Sequence, residues 1–298
     1  MRIMILLIIF GVLFGCDDFT SSERYKDDNY VITGLLYEGQ PIQPIFIGKT
    51  ISPFNDEFTD MNIDYAEVTI KEFNGETLID SVQLVYFPLE EGIGVYIDPF
   101  QIKIISSDYI YRIEAWIGDE LVFAETEVPD SIYVLLDEAF TTDSTTIFPQ
   151  LIYETADSEH PLIIQTINDE VVNMMFKFYC LEEFEDEPQY IIVFGDHETP
   201  EDEEEYENPN DGFPRRINFF GSYLPVWNEE YQQFLVTESA YSGPIVFYGD
   251  YEISVYSISQ NYFNYLYMTD GYTHGGIQNG YGYFGAVSGT SLYTEVIE

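Results

Sequence analysis

The chain has 298 residues, of which 54 are acidic and 10 are basic, so its formal net charge at pH 7 is -44. A surface this acidic repels phosphate backbones, which argues against any nucleic-acid partner. Hydrophobic residues make up 46% of the chain and aromatic residues 17%, enough to fill a core, which excludes a disordered protein. We therefore expect a folded protein whose acidic side chains coat its surface.

Residues 1–15 have the pattern of a bacterial lipoprotein signal peptide. Arg2 precedes an apolar run, residues 4–14, that is too short to cross a hydrocarbon core roughly 30 Å thick. The run ends in LFGC, which resembles the lipobox before an acylated cysteine. We predict lipidation of Cys16 and attachment to the lipid bilayer through several acyl chains. An ordinary secretory signal with an incidental cysteine is the alternative.

Residues 16–28 are predicted to be an acidic tether between the lipid and the fold. The segment DDFTSSERYKDD has no periodic apolar pattern. Asp17 and Asp18 resemble the acidic signal that directs some Bacteroidetes lipoproteins to the outer cell surface. The predicted location is therefore the cell outer membrane, facing the exterior.

With Cys16 acylated, Cys180 is the one cysteine that remains, so no intramolecular disulfide can form. Cys180 lies in the apolar stretch MMFKFYCLEEF, where a free cysteine behaves as a small hydrophobe. We predict a core residue and not a reactive thiol.

Residues 29–129 are predicted to form a β-sandwich domain of immunoglobulin-like or transthyretin-like kind. Apolar and polar residues alternate through 65–71, and Asn74-Gly75 then supplies the two positive φ angles of a tight hairpin. The alternation recurs from 109 to 128, with a turn at Gly118-Asp119. About seven strands in about 100 residues, with no helical period, are typical of a sandwich. Pro129 is predicted to end this domain.

Residues 130–298 are predicted to form a second β-rich domain with one short helix, so the fold class is all-β. Strands are predicted in LIIQTI, NMMFKFYCL, QYIIVFG, PIVFYGDYEISVYSI and TSLYTEV. The helix is predicted in SQNYFNYLYMTDG, with a serine N-cap and Gly271 as its stop.

The segment NGYGYFGAVSG, residues 279–289, has the G-x-G-x-x-G spacing of a dinucleotide-binding turn. That motif needs a parallel strand before it, a helix after it and an acidic partner about 20 residues later. Here AVSGTSLYTEV follows, without β-α alternation. We predict instead that the glycines permit a tight, aromatic-rich turn before a final strand.

The C-terminal segments YEISVYSISQNYFNYLYMTDG and GGIQNGYGYFGAVSG resemble the signature of a Bacteroidetes outer-membrane lipoprotein family catalogued as domain of unknown function 4249. The segments YVITGLL, DYAEVTI and YRIEAWIGDELVFAETEVPDSI resemble its N-terminal half. Two departures are the acidic insert near residue 200 and the short segment 273–278.

This resemblance implies a location and a partner. Members of the family are lipid-anchored in the outer membrane and are often encoded beside TonB-dependent transporters. The implied role is a non-catalytic accessory or binding partner of such a transporter. The resemblance implies no catalytic residues, and we predict that the chain is not an enzyme.

An acidic loop, GDHETPEDEEEYENPNDG at 195–212, is the main candidate for metal binding. Carboxylates are the hard oxygen ligands that Ca²⁺ prefers, but the spacing of a calcium-binding loop is missing. We expect either a solvated loop or weak calcium binding, and no other cofactor. The candidate ligands are Asp196, Glu198, Asp202, Glu204 and Asp211.

Other functional candidates are sparse. His160, His197 and His274 are far apart in sequence, and neither a zinc-binding helix motif nor a G-x-S-x-G elbow is present. An envelope hydrolase acting on glycans or peptides stays open as an alternative, as does a surface protein that binds a ligand or divalent cation. Candidate residues for ligand or partner binding are the aromatics Tyr223, Trp227 and Tyr231, which could equally fill a core.

Overall fold

The computed structural model describes residues 29–50, 61–89, 93–136, 138–153, 160, 162–166, 172–182, 216–217, 226–228, 233–235, 245 and 248–298. In these residues, strands arranged in three sheets account for nearly all of the regular structure. One short α-helix accompanies them. The predicted all-β class with a single short helix is confirmed.

The described residues of the first half of the chain contain seven strands, in agreement with the roughly seven predicted from the sequence. They are β1 (Tyr30–Tyr37), β2 (Phe46–Lys49), β3 (Glu67–Asn74), β4 (Thr77–Pro88), β5 (Gly94–Ile97), β6 (Ile110–Ile117) and β7 (Glu120–Glu127). Strands β3 to β7 form a sheet in the order β5-β4-β3-β6-β7. Its inner face packs on β1 and β2, so this half is sandwich-like.

The second half adds nine strands and the helix within the described residues. They are β8 (Ile132–Leu135), β9 (Gln150–Ile152), β10 (Ile163–Thr166), β11 (Met174–Cys180), β12 (Arg216–Ile217), β13 (Val226–Asn228), β14 (Gln233–Leu235), β15 (Gly249–Ile258), α1 (Gln260–Tyr267) and β16 (Tyr281–Ile297). The strands predicted in LIIQTI and NMMFKFYCL are confirmed as β10 and β11. The strand predicted in QYIIVFG lies outside the described residues.

The final strand, β16, is the element that both halves share. It pairs with β1 in parallel from Tyr281 to Val287 and with β15 antiparallel from Val287 to Val296. The resulting sheet has the order β12-β11-β15-β16-β1-β2, and β9 also pairs with β16. A four-stranded sheet, β13-β14-β10-β8, completes the second half. The division of the chain at residue 129 stays a prediction.

Two hydrophobic cores lie against the same face of β16. Phe284 and Ala286 belong to the core beneath the five-stranded sheet, and Leu292 and Val296 belong to the core beneath the four-stranded sheet. Alternate residues of a strand point to one face, so these even-numbered residues share a face. The odd-numbered face carries α1, which packs around Val287 together with Met175.

The predicted glycine-rich turn before the final strand is wrong, because β16 already begins at Tyr281. The glycines allow close approach inside the sheet. A Cβ on Gly282 would lie 2.1 Å from the carbonyl oxygen of Ile32, and one on Gly285 would lie 2.7 Å from the Cβ of Tyr262 in α1. Gly280, Gly282 and Gly285 therefore do not lie at a strand-to-helix turn, which is where a dinucleotide motif needs them.

Three local predictions also need correction. In the β3–β4 hairpin only Gly75 has a positive φ, of 57°, because the two turn residues are Gly75 and Glu76 and not Asn74 and Gly75. Ser259 is at the N-cap of α1 as predicted, but its hydroxyl accepts a hydrogen bond from the amide of Ala286 at 2.9 Å instead of capping the helix. The helix ends at Tyr267, before Gly271.

No helix among the described residues has the length and apolar character needed to cross a bilayer.

Replacing Gly282 with alanine should destabilise the protein more than the same change at Gly39. Both glycines have positive φ, 97° and 75°, so each alanine incurs a backbone cost of about 1–2 kcal/mol. A Cβ on Gly39 has no heavy atom within 4 Å, whereas the Cβ on Gly282 collides with the β1 backbone. The collision should add about 1–3 kcal/mol. Urea unfolding of both variants measures the difference, and equal losses would contradict the close β1–β16 approach.

Candidate functional site

A cavity of about 230 Å³ opens where β1, β15 and β16 meet. The end of β1 and the turn after it provide one wall, β15 provides an aromatic residue, and the middle of β16 provides the rest. Polar groups dominate the lining. The lining residues are Tyr37, Glu38, Gln40, Tyr256, Val287, Gly289, Thr290 and Ser291.

The cavity exists because β16 loses its neighbour on one side. The last pair between β1 and β16 joins Tyr37 to Val287, and the Glu38 amide then donates to the Val287 carbonyl at 2.9 Å. The next backbone partner on this side is Thr141, which exchanges hydrogen bonds of 3.0 and 2.7 Å with Tyr293. Between these points no described strand pairs with this edge of β16.

The backbone of Gly289 faces this gap. Alternate residues of a strand direct their N–H and C=O groups to the same side. Val287 and Tyr293 bond to partners on the gap side, so the intervening odd-numbered residues, Gly289 and Ser291, direct their backbone groups into the gap. Gly289 is exposed, and a Cβ at this position would lie 2.0 Å from the Val255 carbonyl oxygen of β15, so glycine permits the close approach of the two strands.

Glu38 is the carboxylate of the cavity and joins four segments of the chain. Ser131 donates to Glu38 Oε2 at 2.6 Å, and Ser288 donates to the same oxygen. Burial alone would raise the pKa of Glu38, but hydrogen bonds from Ser107, Ser131 and Ser288 outweigh burial and leave the pKa below its ordinary value. Glu38 is therefore ionised at neutral pH, and the ion pairs of the described residues do not include it.

A lysine lies beside the aromatic wall of the cavity. The Lys177 ammonium donates to the Tyr37 hydroxyl at 3.1 Å and lies 5.6 Å from the centre of its ring. The Tyr37 and Tyr256 rings meet edge to face, with centroids 5.8 Å apart. Burial raises the pKa of Tyr37, so its hydroxyl stays protonated at neutral pH. The site thus combines two tyrosines, a carboxylate and a nearby ammonium.

A second surface feature is the hairpin patch, which we define as Val85, Phe87, Leu89 and Ile93. Val85, Phe87 and Leu89 follow the outward-facing alternation of β4, and the Leu89 amide bonds to the Ile93 carbonyl at 2.7 Å. Each side chain is 43–52% exposed. Phe100, Ile102 and Ile104 follow shortly after β5 and are also exposed, Ile102 at 79%.

Most of the residues predicted from sequence as functional lie outside the described part of the chain. Trp227 is the exception: it lies in β13, opposite Phe234 of β14. The structure does not test a role for it in binding. The candidates outside the described residues are Cys16, Asp196, Glu198, Asp202, Glu204, Asp211, Tyr223 and Tyr231.

The structure does place Cys180 and two histidines. Cys180 is 1% exposed in the second core, and burial raises the pKa of its thiol, so the predicted core role is confirmed. His160 and His274 lie in separate irregular segments. Among the residues with described side chains, no three His, Cys, Asp or Glu groups come together as metal ligands would.

Comparison of the chain with protein-family models and with curated proteins gives no match. The resemblance to the family of domain of unknown function 4249 therefore stays a prediction.

Sequence reasoning missed the cavity because its residues come from three distant segments. Only one local signal pointed to it. The run SGTS at 288–291 interrupts the apolar alternation of β16 with small polar residues. In a strand buried on both faces, such a run marks a place where the strand meets something other than a core.

Replacing Glu38 with glutamine should destabilise the protein at pH 7 and have a smaller effect at pH 3. The pKa of Glu38 is lowered in the folded protein, so its contribution is complete above its ordinary pKa and is lost as the pH falls through the folded value. Weakening hydrogen bonds to a charged acceptor should cost about 1–3 kcal/mol at pH 7.

Urea unfolding at the two pH values measures this effect. Glu67→Gln is the control, because Glu67 is exposed on β3, and it should change the free energy of unfolding by less than about 0.5 kcal/mol. An equal loss for Glu38→Gln at both pH values would contradict the role of the ionised carboxylate.

Proposed function

We propose that the protein is an outer-membrane lipoprotein, anchored through Cys16 and facing the cell exterior, that binds a protein partner and catalyses no reaction. A TonB-dependent transporter is the proposed partner. The signal-peptide pattern, the acidic composition and the sequence resemblance support the location. The hairpin patch supports the binding role.

The hairpin patch is the observation that carries this proposal. In a chain with a net charge of -44, four neighbouring apolar side chains about half exposed on one hairpin are a costly arrangement in water. Contiguous apolar patches on a folded surface usually mark contact sites with other proteins. The inner face of the same hairpin is satisfied, because Leu84 and Tyr96 are buried in the first core.

The hydrolase alternative needs two close carboxylates or a serine–histidine pair in a cavity. The lining of the described cavity supplies one carboxylate, Glu38, and it contains no histidine. Glu38 is also occupied as an acceptor of serine hydroxyls. These contacts favour binding over hydrolysis at this site.

Lipidation at Cys16 is tested by the mass of the mature amino terminus. The wild-type chain should begin at a triacylated or diacylated Cys16 and partition into the membrane fraction, because several acyl chains anchor stably. Cys16→Ala should abolish acylation, so that no acyl chain is found by mass spectrometry on any form of the chain. A wild-type protein with an unmodified amino terminus in the medium would contradict the proposal.

Replacing Ile93 with asparagine should weaken partner binding without loss of the fold. Ile93 is 52% exposed in the hairpin patch, and Ile79 is 51% exposed near the start of β4, outside the patch. Ile79→Asn is therefore a matched control for chemistry and exposure. Loss of an apolar anchor in an interface should cost about 1–2 kcal/mol, or roughly ten-fold in affinity.

The measurement is co-purification from gently solubilised outer membranes. Wild type and Ile79→Asn should recover a large β-barrel protein, identified by mass spectrometry, and Ile93→Asn should recover much less of it. Recovery of the lipoprotein alone, or equal recovery with both variants, would contradict docking through the hairpin patch.

A further inference from the structure

We propose that the cavity beside β16 is a binding site for one neutral sugar ring. The proposal is independent of the membrane anchor and of the hairpin patch. It rests on three properties of the cavity: its closed ends, its mixture of hydrogen-bonding groups and its negative charge.

The closed ends limit the shape of the ligand. Along β16 the gap begins where Glu38 bonds to Val287 and ends where Thr141 bonds to Tyr293. These two points are six residues apart on β16, or about 20 Å at about 3.3 Å per residue, so an added peptide strand of more than about five residues would run past them. Both points are already occupied by the chain itself. A compact ligand fits the gap, and a long peptide strand does not.

The volume agrees with a ligand of this size. A cavity of about 230 Å³ corresponds to about seven or eight water molecules at roughly 30 Å³ each. A single pyranose ring with its hydroxyl groups occupies space of this order. The cavity is too small for a dinucleotide or a drug-sized apolar molecule.

The lining offers donors and acceptors to a polyhydroxylated ligand. The Tyr256 and Thr290 hydroxyls can each donate and accept, and the Gln40 side-chain amide does both. The Gly289 backbone adds an N–H and a C=O that face the gap. The cavity exposes little apolar surface, so its hydrogen-bonding groups are what a ligand contacts.

The charges disfavour an anionic ligand. Ionised Glu38 repels phosphate and carboxylate groups. A second carboxylate, Glu252, accepts a hydrogen bond from the lining residue Ser291 at 2.7 Å. A neutral sugar avoids this repulsion and can bond to the uncharged hydroxyl and amide groups of the lining.

The test is saturation-transfer NMR with the full mature chain in lipid nanodiscs. The probes are the methyl glycosides of glucose, galactose, mannose and N-acetylglucosamine, each added separately. At least one should receive saturation from the protein. The double variant Tyr256→Phe/Thr290→Val, which removes two hydroxyls, should weaken its binding about ten-fold or more.

Two further variants make the result specific. Gln40→Met changes an exposed side chain, which spares the fold, and should also weaken binding. Tyr272→Phe is the matched control, because Tyr272 is 52% exposed in the turn after α1, and should bind as wild type does.

Three outcomes would overturn the proposal. The first is that no glycoside receives saturation. The second is that a glycoside binds equally to the double variant and to Tyr272→Phe, which would place its site elsewhere. The third is that a blocked tripeptide, acetyl-Ala-Thr-Ala-amide, binds in preference to every glycoside, which would assign the gap to strand addition.

Discussion

The pairing of β16 with β1, β15 and β9 is the constraint on which the rest of the structure depends. One face of this 17-residue strand packs into both hydrophobic cores. Its parallel pairing with β1 joins the two ends of the described fold, a contact between residues about 250 positions apart in sequence. Such a contact forms only after a large loss of chain entropy, so it must be secured by dense local packing. Glycines at positions 282 and 285 permit that packing, because side chains there would collide with β1 and α1.

The same strand explains where the cavity and Glu38 lie. Because β1 ends at Tyr37 and Thr141 meets β16 only at Tyr293, one edge of β16 is left open between them. Glu38 lies at the end of β1 and gathers serine hydroxyls from the segments before β6, before β8 and within β16. These hydroxyls and the backbone amide of Ser107 lower the pKa of Glu38, so the carboxylate keeps its negative charge at neutral pH. The fold thus places an ionised group and an open strand edge side by side, at the junction of the two halves.

How much of the fold could be predicted from the sequence depends on how far apart in sequence the contacting residues lie. Alternation predicts the seven strands of the first half, because a sheet with one buried face imposes a period of two on neighbouring residues. Local sequence also predicts α1, from the serine that precedes it and from its apolar spacing. Local sequence is misleading for NGYGYFGAVSG, because its glycines usually indicate a turn but here permit close contacts with the distant residues Ile32 and Tyr262. It could not find the cavity, because no local pattern reports that β1 ends opposite Val287. The predicted acidic site and two of the three predicted aromatic residues, Tyr223 and Tyr231, fall outside the described residues, so these roles stay predictions.

The most direct test of the shared strand is native-state hydrogen exchange of the intact chain in increasing urea. Amides of β6 report on the first core, and amides of β15 report on the second. If β16 couples the two cores, the slowest amides of both strands should converge on one opening free energy and one dependence on urea. Two separate transitions, with β15 exchanging through an opening that leaves β6 fully protected, would show that the halves are independent and would contradict the account.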